Sequence, residues 1–135
     1  FATLALHRQT ILLPVRRARV ANLHEVYAEA ETLKDNGQNE EAIAKLVDLL
    51  ETDASFVLAH LALAVLYGKV GQHEDAIKHA QKACELDSND PFHFTVMSVT
   101  FQRASQAVDN AQDNQRHIMH AEEAMARAHE LGARR

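Results

Sequence analysis

The apolar and polar positions of this chain repeat with a period of 34 residues. The stretch 36–43 reads NGQNEEAI, and the stretch 70–77 reads VGQHEDAI. Gly37 and Gly71 are in register, and further pairs of residues match on either side of them. A fixed period of this size is typical of stacked helix-turn-helix units, because each unit is too small to bury its own apolar face.

Capping signals predict six helices between residues 22 and 132. Asn22 followed by Glu25 has the spacing of a capping box. Asn39 is a good N-cap for a second helix, and Asp90 before Pro91 is a typical helix start. Glycines supply stops after the first, third and sixth helices. The predicted helices cover about residues 22–36, 39–52, 55–70, 74–86, 91–108 and 115–131, with 109–114 as a polar break into which helix could extend.

Composition supports one all-α domain preceded by a separate segment. A chain of 135 residues is one domain, and four glycines with two prolines are too few for a loop-rich β fold. All acidic residues follow residue 20, so residues 1–20 carry +4 and the remainder carries −9. We therefore divide the chain into a basic, apolar segment, residues 1–21, and a repeat domain, residues 22–132. The segment is read as an arm, a processed segment such as a transit peptide, or a remnant.

Charge and cysteine content narrow the partners and the compartment. The net charge of −5 argues against a general nucleic-acid binder, although Arg16, Arg17 and Arg19 form a short basic run. No run approaches the ~20 apolar residues that span a bilayer. Cys84 is alone, so no internal disulfide can form and a reducing, cytoplasmic compartment is expected. We expect no nucleic-acid or membrane partner and no cofactor.

Small residues recur where the two helices of each hairpin would touch. The first repeat has Ala30 and Ala42 there, and the second has Ala64, Ala76 and Ala83. In these residues the sequence resembles the tetratricopeptide repeat (TPR) family, over about residues 22–132. The resemblance implies an all-α, right-handed solenoid of three TPR-like helix-turn-helix repeats, with six helices in all.

The third repeat departs from the family pattern. Ser98 and His117 stand in its small-residue places, and its second helix returns about seven residues late, which is typical of terminal repeats. The tryptophan usual in the family is replaced in the three repeats by Val26, His60 and Phe94. The sixth predicted helix has one apolar stripe and one charged face, which suits a cap at the end of a solenoid.

The resemblance also implies a binding groove, because the first helices of successive TPR repeats line the concave face. Transferred position by position, the groove residues are Tyr27, Leu58, Leu61, Ala62, Val65, Lys69, Phe92, Thr95, Val99 and Arg103. Family members that clamp a terminal carboxylate use lysines, asparagines and an arginine at positions that here hold Tyr27, Glu31, Ala62, Phe92 and Val96. We therefore expect no carboxylate clamp. The expected function is a non-enzymatic protein-interaction module that binds an amphipathic helix or an apolar peptide.

A metal-binding or enzymatic helical protein is the alternative. His117 and His120 are three residues apart on one helix flank, and Glu123 follows one turn later. The other histidines of the repeat region, apart from those in repeat positions, are predicted to be ordinary surface residues: His73, His79, His93 and His129. Cys84 is predicted to face the hairpin core as an inert thiol.

The N-terminal segment contains large apolar side chains whose exposure to water would be unfavourable. Its large apolar residues include Leu4, Leu6, Ile11, Leu12, Leu13 and Val15. We expect it to dock on the repeat domain of its own chain or of a neighbour. Docking on a neighbour would give a homo-oligomer.

Overall fold

The computed structural model describes residues 22–134, and within them the chain forms helices and no strand. The six helices are α1 (Leu23–Asp35), α2 (Asn39–Thr52), α3 (Val57–Lys69), α4 (His73–Leu86), α5 (Pro91–Ala107) and α6 (Ala111–Ala133). They pair as the hairpins α1–α2, α3–α4 and α5–α6, and successive hairpins pack through α2–α3 and α4–α5. The predicted all-α repeat architecture is confirmed. The predicted N-terminal segment, residues 1–21, lies outside the described residues.

Two glycines give the first two hairpins the same turn. Gly37 has φ +79° and Gly71 has φ +83°, in the left-handed region that side chains disfavour. No atom lies within 4 Å of a Cβ added at either position, so backbone conformation, not space, requires glycine. The amide of Gln38 donates to the Leu33 carbonyl at 2.8 Å, and that of Gln72 donates to the Tyr67 carbonyl at 2.8 Å. Both turns are therefore Schellman motifs, which end the first helix of each repeat.

Asn22 is the N-cap residue of α1 as predicted, but its capping box does not form. The predicted cap of α2 is wrong, whereas that of α5 is confirmed. The Asn22 side chain makes no capping hydrogen bond. Asn39 is already helical, because the Schellman turn is followed at once by Gln38 as the N-cap residue. At α5 the Asp90 carboxylate accepts from the Phe92 amide at 2.9 Å, and Pro91 occupies the first helical position.

Helix α6 is longer at both ends than predicted. The stretch 109–114, interpreted as a polar break, contains its N-cap: the Asn110 side chain accepts from the Asp113 amide at 2.7 Å. The Asn114 amide group donates to the Ser105 carbonyl at 2.7 Å, which ties this helix start to the end of α5. Gly132 continues the helix instead of ending it, since its φ is not positive. The inserted residues therefore lengthen the hairpin.

Alanines close the hairpins, and leucines fill the space between them. Ala64, Ala76 and Ala83 are at most 1% exposed, as the resemblance implies. The largest fully buried side chains are leucines of α2 and α3, where the first repeat meets the second: Leu46, Leu49, Leu63 and Leu66. Helix α3 lies between the first repeat and α4–α5, which explains why it is apolar on nearly every face. None of the helices in residues 22–134 combines the length and apolar character needed to cross a membrane.

Candidate functional site

Helices α3 and α5 carry matched side chains on the predicted groove. Four positions of α3 recur 34 residues later on α5, as the pairs Leu58/Phe92, Leu61/Thr95, Val65/Val99 and Lys69/Arg103. Helix α3 contacts α5 directly, and it contacts α1 as well. The first helices of the three repeats therefore lie side by side, so equivalent positions are neighbours across adjacent helices.

Exposed apolar side chains concentrate on this face. Among residues 22–134, five large apolar side chains are exposed, and three of them are predicted groove residues. These three are Leu58 (46% exposed), Phe92 (59%) and Val99 (39%). Leu58 and Phe92 lie in the first turns of α3 and α5, where both large apolar side chains are exposed to water. Val65, two turns after Leu58 on α3, is half-buried.

Two predicted groove residues are buried and present no free surface. Leu61 and Ala62 are each 6% exposed, and Ala62 belongs to the core formed with the first repeat. They support the groove from beneath. Thr95 is half-buried, and its hydroxyl donates to the Pro91 carbonyl of the same helix at 3.1 Å. This hydroxyl is therefore already hydrogen-bonded within α5.

The first repeat contributes a more polar edge. Tyr27 is half-buried, with its ring 5.9 Å from that of Phe56. Burial raises the pKa of the Tyr27 phenol, and the neighbouring Glu31 carboxylate raises it further. Glu31 in turn accepts a hydrogen bond from Lys34 at 3.0 Å. This edge therefore offers a neutral phenol beside a charge pair.

A cavity of about 380 Å³ opens where α1 and α3 begin. Its walls include Leu23 and His24 of α1, and Phe56 and Leu58 at the start of α3. Asp53 adds a carboxylate that accepts from the Ser55 hydroxyl and amide, and these hydrogen bonds hold the pKa of Asp53 below its usual range. The cavity is thus mainly apolar with one anionic group, and it adjoins the exposed Leu58.

Two cations lie toward the other ends of α3 and α5. Lys69 is exposed. The Arg103 side chain packs against Gly68 of α3, where a Cβ added to the glycine would lie 3.5 Å from a guanidinium nitrogen. Neither cation forms an ion pair with a carboxylate of residues 22–134. The groove face therefore runs from an apolar end at Leu58 and Phe92 to a cationic end.

The residues of the metal-site alternative do not converge. His117 is 8% exposed with its ring 5.9 Å from Phe101, and its Nδ1 has no hydrogen-bond partner. His120 pairs separately with Glu123, at 3.4 Å between Nδ1 and Oε2. Among residues 22–134, no close group of three possible metal ligands includes these side chains.

A single such group occurs in that part of the chain, formed by Asp87, Asp90 and His93, whose ligand atoms lie within 4.8 Å of one another. Asp90 already caps α5. The Nδ1–H of His93 donates to the Asp87 carbonyl at 3.1 Å. These contacts explain the group as the structure of a helix start. The prediction that His93 is a surface residue is wrong, since it is 6% exposed.

A histidine pair inside the second repeat was not anticipated. His60 is 6% exposed, and its Nε2–H donates to the Ala54 carbonyl at 2.8 Å. Its Nδ1 lies 2.9 Å from Nδ1 of His79, which is half-buried and stacked on Tyr67. With both rings neutral, Nδ1 of His60 accepts from Nδ1–H of His79. The prediction that His79 is a surface residue is therefore wrong. The signal for the pair in the sequence was His60, which occupies the position of the family's tryptophan, because a buried ring nitrogen needs a hydrogen-bond partner.

Cys84 faces the core as predicted. It is 7% exposed, and burial raises the pKa of its thiol to about 11, with the Glu85 carboxylate acting in the same direction. A thiolate is the reactive form of cysteine, so this side chain is a poor nucleophile at neutral pH. It borders a second cavity, of about 450 Å³, between α4 and the α5–α6 hairpin.

Comparison with known proteins identifies one of the three repeats. Residues 57–90, which form the second repeat, match the tetratricopeptide repeat family model. The second repeat is therefore a tetratricopeptide repeat. The matched residues cover the α3–α4 hairpin and the loop that leads to α5. No curated protein matches the chain with significant sequence similarity.

Solved structures share the fold at low sequence identity. The type III secretion translocator chaperone SycD of Yersinia enterocolitica superposes with a TM-score of 0.70, at 19% identity over 84% of this chain and 77% of SycD. The second TPR of Spaghetti bound to the HSP90 peptide SRMEEVD gives 0.69, at 15% identity over 87% and 98%. MamA of MSR-1 gives 0.65, at 19% identity over 96% and 69%. These similarities show that the TPR fold extends beyond the matched repeat.

Proposed function

We propose that this TPR protein is a protein-interaction module that binds an amphipathic helix or an apolar peptide across α1, α3 and α5. The proposal is carried by the exposed apolar residues Leu58, Phe92 and Val99, which lie at matched positions of adjacent helices. Leaving such side chains in water is unfavourable by about 25 cal/mol per Å². A partner that covers them recovers this free energy on binding.

The dimensions favour a short ligand. Leu58 and Val65 are seven residues apart, which is about 10 Å along α3. Phe92 and Val99 repeat this spacing on α5, one helix spacing away. Two or three turns of an amphipathic helix, with apolar residues at i, i+3, i+4 and i+7, match this area. A partner with acidic residues at one end would also pair with Lys69 and Arg103.

The chemistry of these positions differs from a carboxylate clamp. The Spaghetti repeat, which has the same fold, is bound to an acidic HSP90 peptide. Here the clamp positions include Tyr27, Ala62 and Phe92, which cannot pair with a carboxylate as lysine or arginine does. We infer that the ligand of this chain is recognised mainly through apolar contacts, with the cationic end as a secondary contact.

The test uses amphipathic peptides selected against the full chain by display and then measured by titration. Phe92→Glu and Leu58→Glu are each expected to weaken binding about tenfold or more, because a charge replaces an apolar contact. Glutamate suits the first turn of a helix, so both variants are expected to fold. Circular dichroism checks that they do.

Two exposed apolar residues off the groove supply matched controls. Val47→Glu on α2 and Met119→Glu on α6 introduce the same charge at sites of similar exposure. Both are expected to leave peptide affinity within about twofold. Replacing His117 and His120 with alanine is expected to leave affinity unchanged in any variant that folds. If Val47→Glu or Met119→Glu weakens binding as much as Phe92→Glu, the proposed site is wrong.

A further inference from the structure

The end of the apolar groove lies next to the residue at which the N-terminal segment joins the repeat domain. Helix α1 begins at Leu23, and Leu23 itself forms part of the wall of the 380 Å³ cavity. Leu58 belongs to the same wall and is 46% exposed. Any chain that leads into α1 therefore starts beside an apolar surface.

Charge is distributed so that the segment and this end of the domain attract one another. Residues 1–20 contain four arginines and no acid, three of the arginines being Arg16, Arg17 and Arg19. The loops that lead into α3 and α5 carry Asp53, Asp87 and Asp90. The cations of the groove lie toward the opposite helix ends, so they do not oppose the arginines here.

The segment is long enough to cross the groove. Leu12 is ten residues before Asn22, and an extended chain of that length spans about 30 Å. Crossing from α1 past α3 to α5 requires two helix spacings, about 20 Å in total. The apolar run Ile11–Leu13 can therefore reach Phe92 while the arginines remain near Asp53.

We propose that residues 4–20 bind in the groove of their own chain as an internal ligand that competes with the partner. The apolar run covers Leu58 and Phe92, and the arginines face the acidic loops. This regulation rests on the proposed function, because both ligands use the same apolar face. A partner gains access only by displacing the segment. Its apparent affinity therefore falls in proportion to the fraction of chains whose groove is open.

The first test locates the segment in the intact chain by photo-cross-linking. Leu12 is replaced by p-benzoylphenylalanine, and equal amounts of ¹⁴N- and ¹⁵N-labelled protein are mixed before irradiation. Cross-links within one chain to the first turns of α1, α3 or α5 are expected. Cross-links between chains, cross-links to α2, α4 or α6, or no cross-link at all would overturn the proposal.

The second test measures competition with a defined probe, a synthetic peptide of residues 4–20. In the full chain, the triple substitution Ile11→Ser, Leu12→Ser and Leu13→Ser is expected to free the groove and tighten binding of this peptide about tenfold. Adding Phe92→Glu is expected to remove the gain, whereas adding Met119→Glu is expected to keep it. Equal peptide affinity in the parent and the triple variant overturns the internal ligand.

The failure of this inference can be told apart from failure of the proposed function. Peptides selected by display are measured on the same variants. If their binding is lost in Phe92→Glu but equal in the parent and the triple variant, the groove binds ligands and the segment does not compete. If Phe92→Glu affects neither the selected peptides nor the 4–20 peptide, both proposals fail.

Discussion

The second and third repeats reach the same hairpin geometry with different interiors. In the second repeat the contact between α3 and α4 is made by alanines, including Ala64 and Ala76. In the third repeat Ser98 takes the place of Ala64, and its hydroxyl donates to the Ala121 carbonyl of α6 at 2.8 Å. Ser98 is fully buried. A close helix contact therefore tolerates a polar group when the hydroxyl finds a partner on the facing backbone.

The two repeats also differ in length, and the extra residues of the third repeat lie in longer helices. Helices α3 and α4 have 13 and 14 residues, whereas α5 and α6 have 17 and 23. The Asn110 cap and the Asn114–Ser105 hydrogen bond fix the longer turn. The longer hairpin makes the most extensive helix–helix contact of the described residues.

The largest expected effect comes from overfilling the alanine contact of the second repeat. Ala76→Leu places three extra carbon atoms where the side chain is 0% exposed, so α3 and α4 must separate. We expect a loss of about 1–3 kcal/mol in the free energy of unfolding, measured by urea denaturation. Ala44→Leu, at an exposed position of α2, is the matched control and is expected to be near neutral. Equal stability of the two variants would contradict the packing described here.

The shared turn of the first two repeats predicts a smaller and equal effect at two sites. Gly37→Ala and Gly71→Ala each force a side chain into the left-handed region without any steric contact. We expect each to cost about 1–2 kcal/mol. Gly132→Ala lies inside α6 and is expected to raise stability by about 0.5–1 kcal/mol instead. A thermal-unfolding series that ranks Gly132→Ala with the other two would overturn the turn assignment.

The buried hydroxyl of the third repeat sharpens the contrast with the second. Ser98→Ala removes the hydrogen bond to the Ala121 carbonyl and the one that the Gln102 amide donates to the hydroxyl at 3.2 Å, and it makes the third repeat resemble the second. We expect a cost of about 0.5–1.5 kcal/mol in denaturant unfolding. Ser88→Ala, in the exposed loop before α5, is the control and is expected to change little. A Ser98→Ala protein that is more stable than its parent would show that the hydroxyl contributes nothing there.

The sequence predicted those features that follow from spacing alone. Capping residues and glycines indicated the six helices, the 34-residue period indicated the register of the first two repeats, and small residues indicated the hairpin contacts at Ala64, Ala76 and Ala83. Glycine stops were confirmed at Gly37 and Gly71, because only a backbone with positive φ makes that turn. These features depend on local conformation and on helix periodicity, which a single sequence contains.

Features that depend on the partner of a side chain were harder to predict. The Asn22 capping box failed because the Asn22 side chain makes no capping hydrogen bond, and Asn39 failed as a cap because the preceding Schellman turn makes Gln38 the N-cap residue. Leu61 and Ala62 share the helix face predicted for the groove, yet neighbouring helices bury them. His79 was missed since its partner His60 is 19 residues away, and no local pattern indicates such a pair.

The smallest expected effect is a pH dependence that arises in the second repeat. Burial lowers the pKa of His79, and His60 and Lys78 act in the same direction, whereas Asp75 opposes them. Because the folded pKa lies below the unfolded value of about 6.5, the unfolded chain binds the proton first as pH falls. The contribution of neutral His79 to stability is therefore complete above that value and decreases as the pH falls below it.

His79→Gln is the variant that isolates this effect. Glutamine keeps an N–H donor for Nδ1 of His60 but carries no titratable group. We expect the melting temperature of the parent to fall more between about pH 7.5 and pH 5.5 than that of the variant. His129→Gln, at an exposed position of α6, controls for removing a histidine as such and is expected to follow the parent. If His79→Gln shows the same pH dependence as the parent, the pair is not a titrating element of the repeat, and its role is confined to joining α3 and α4.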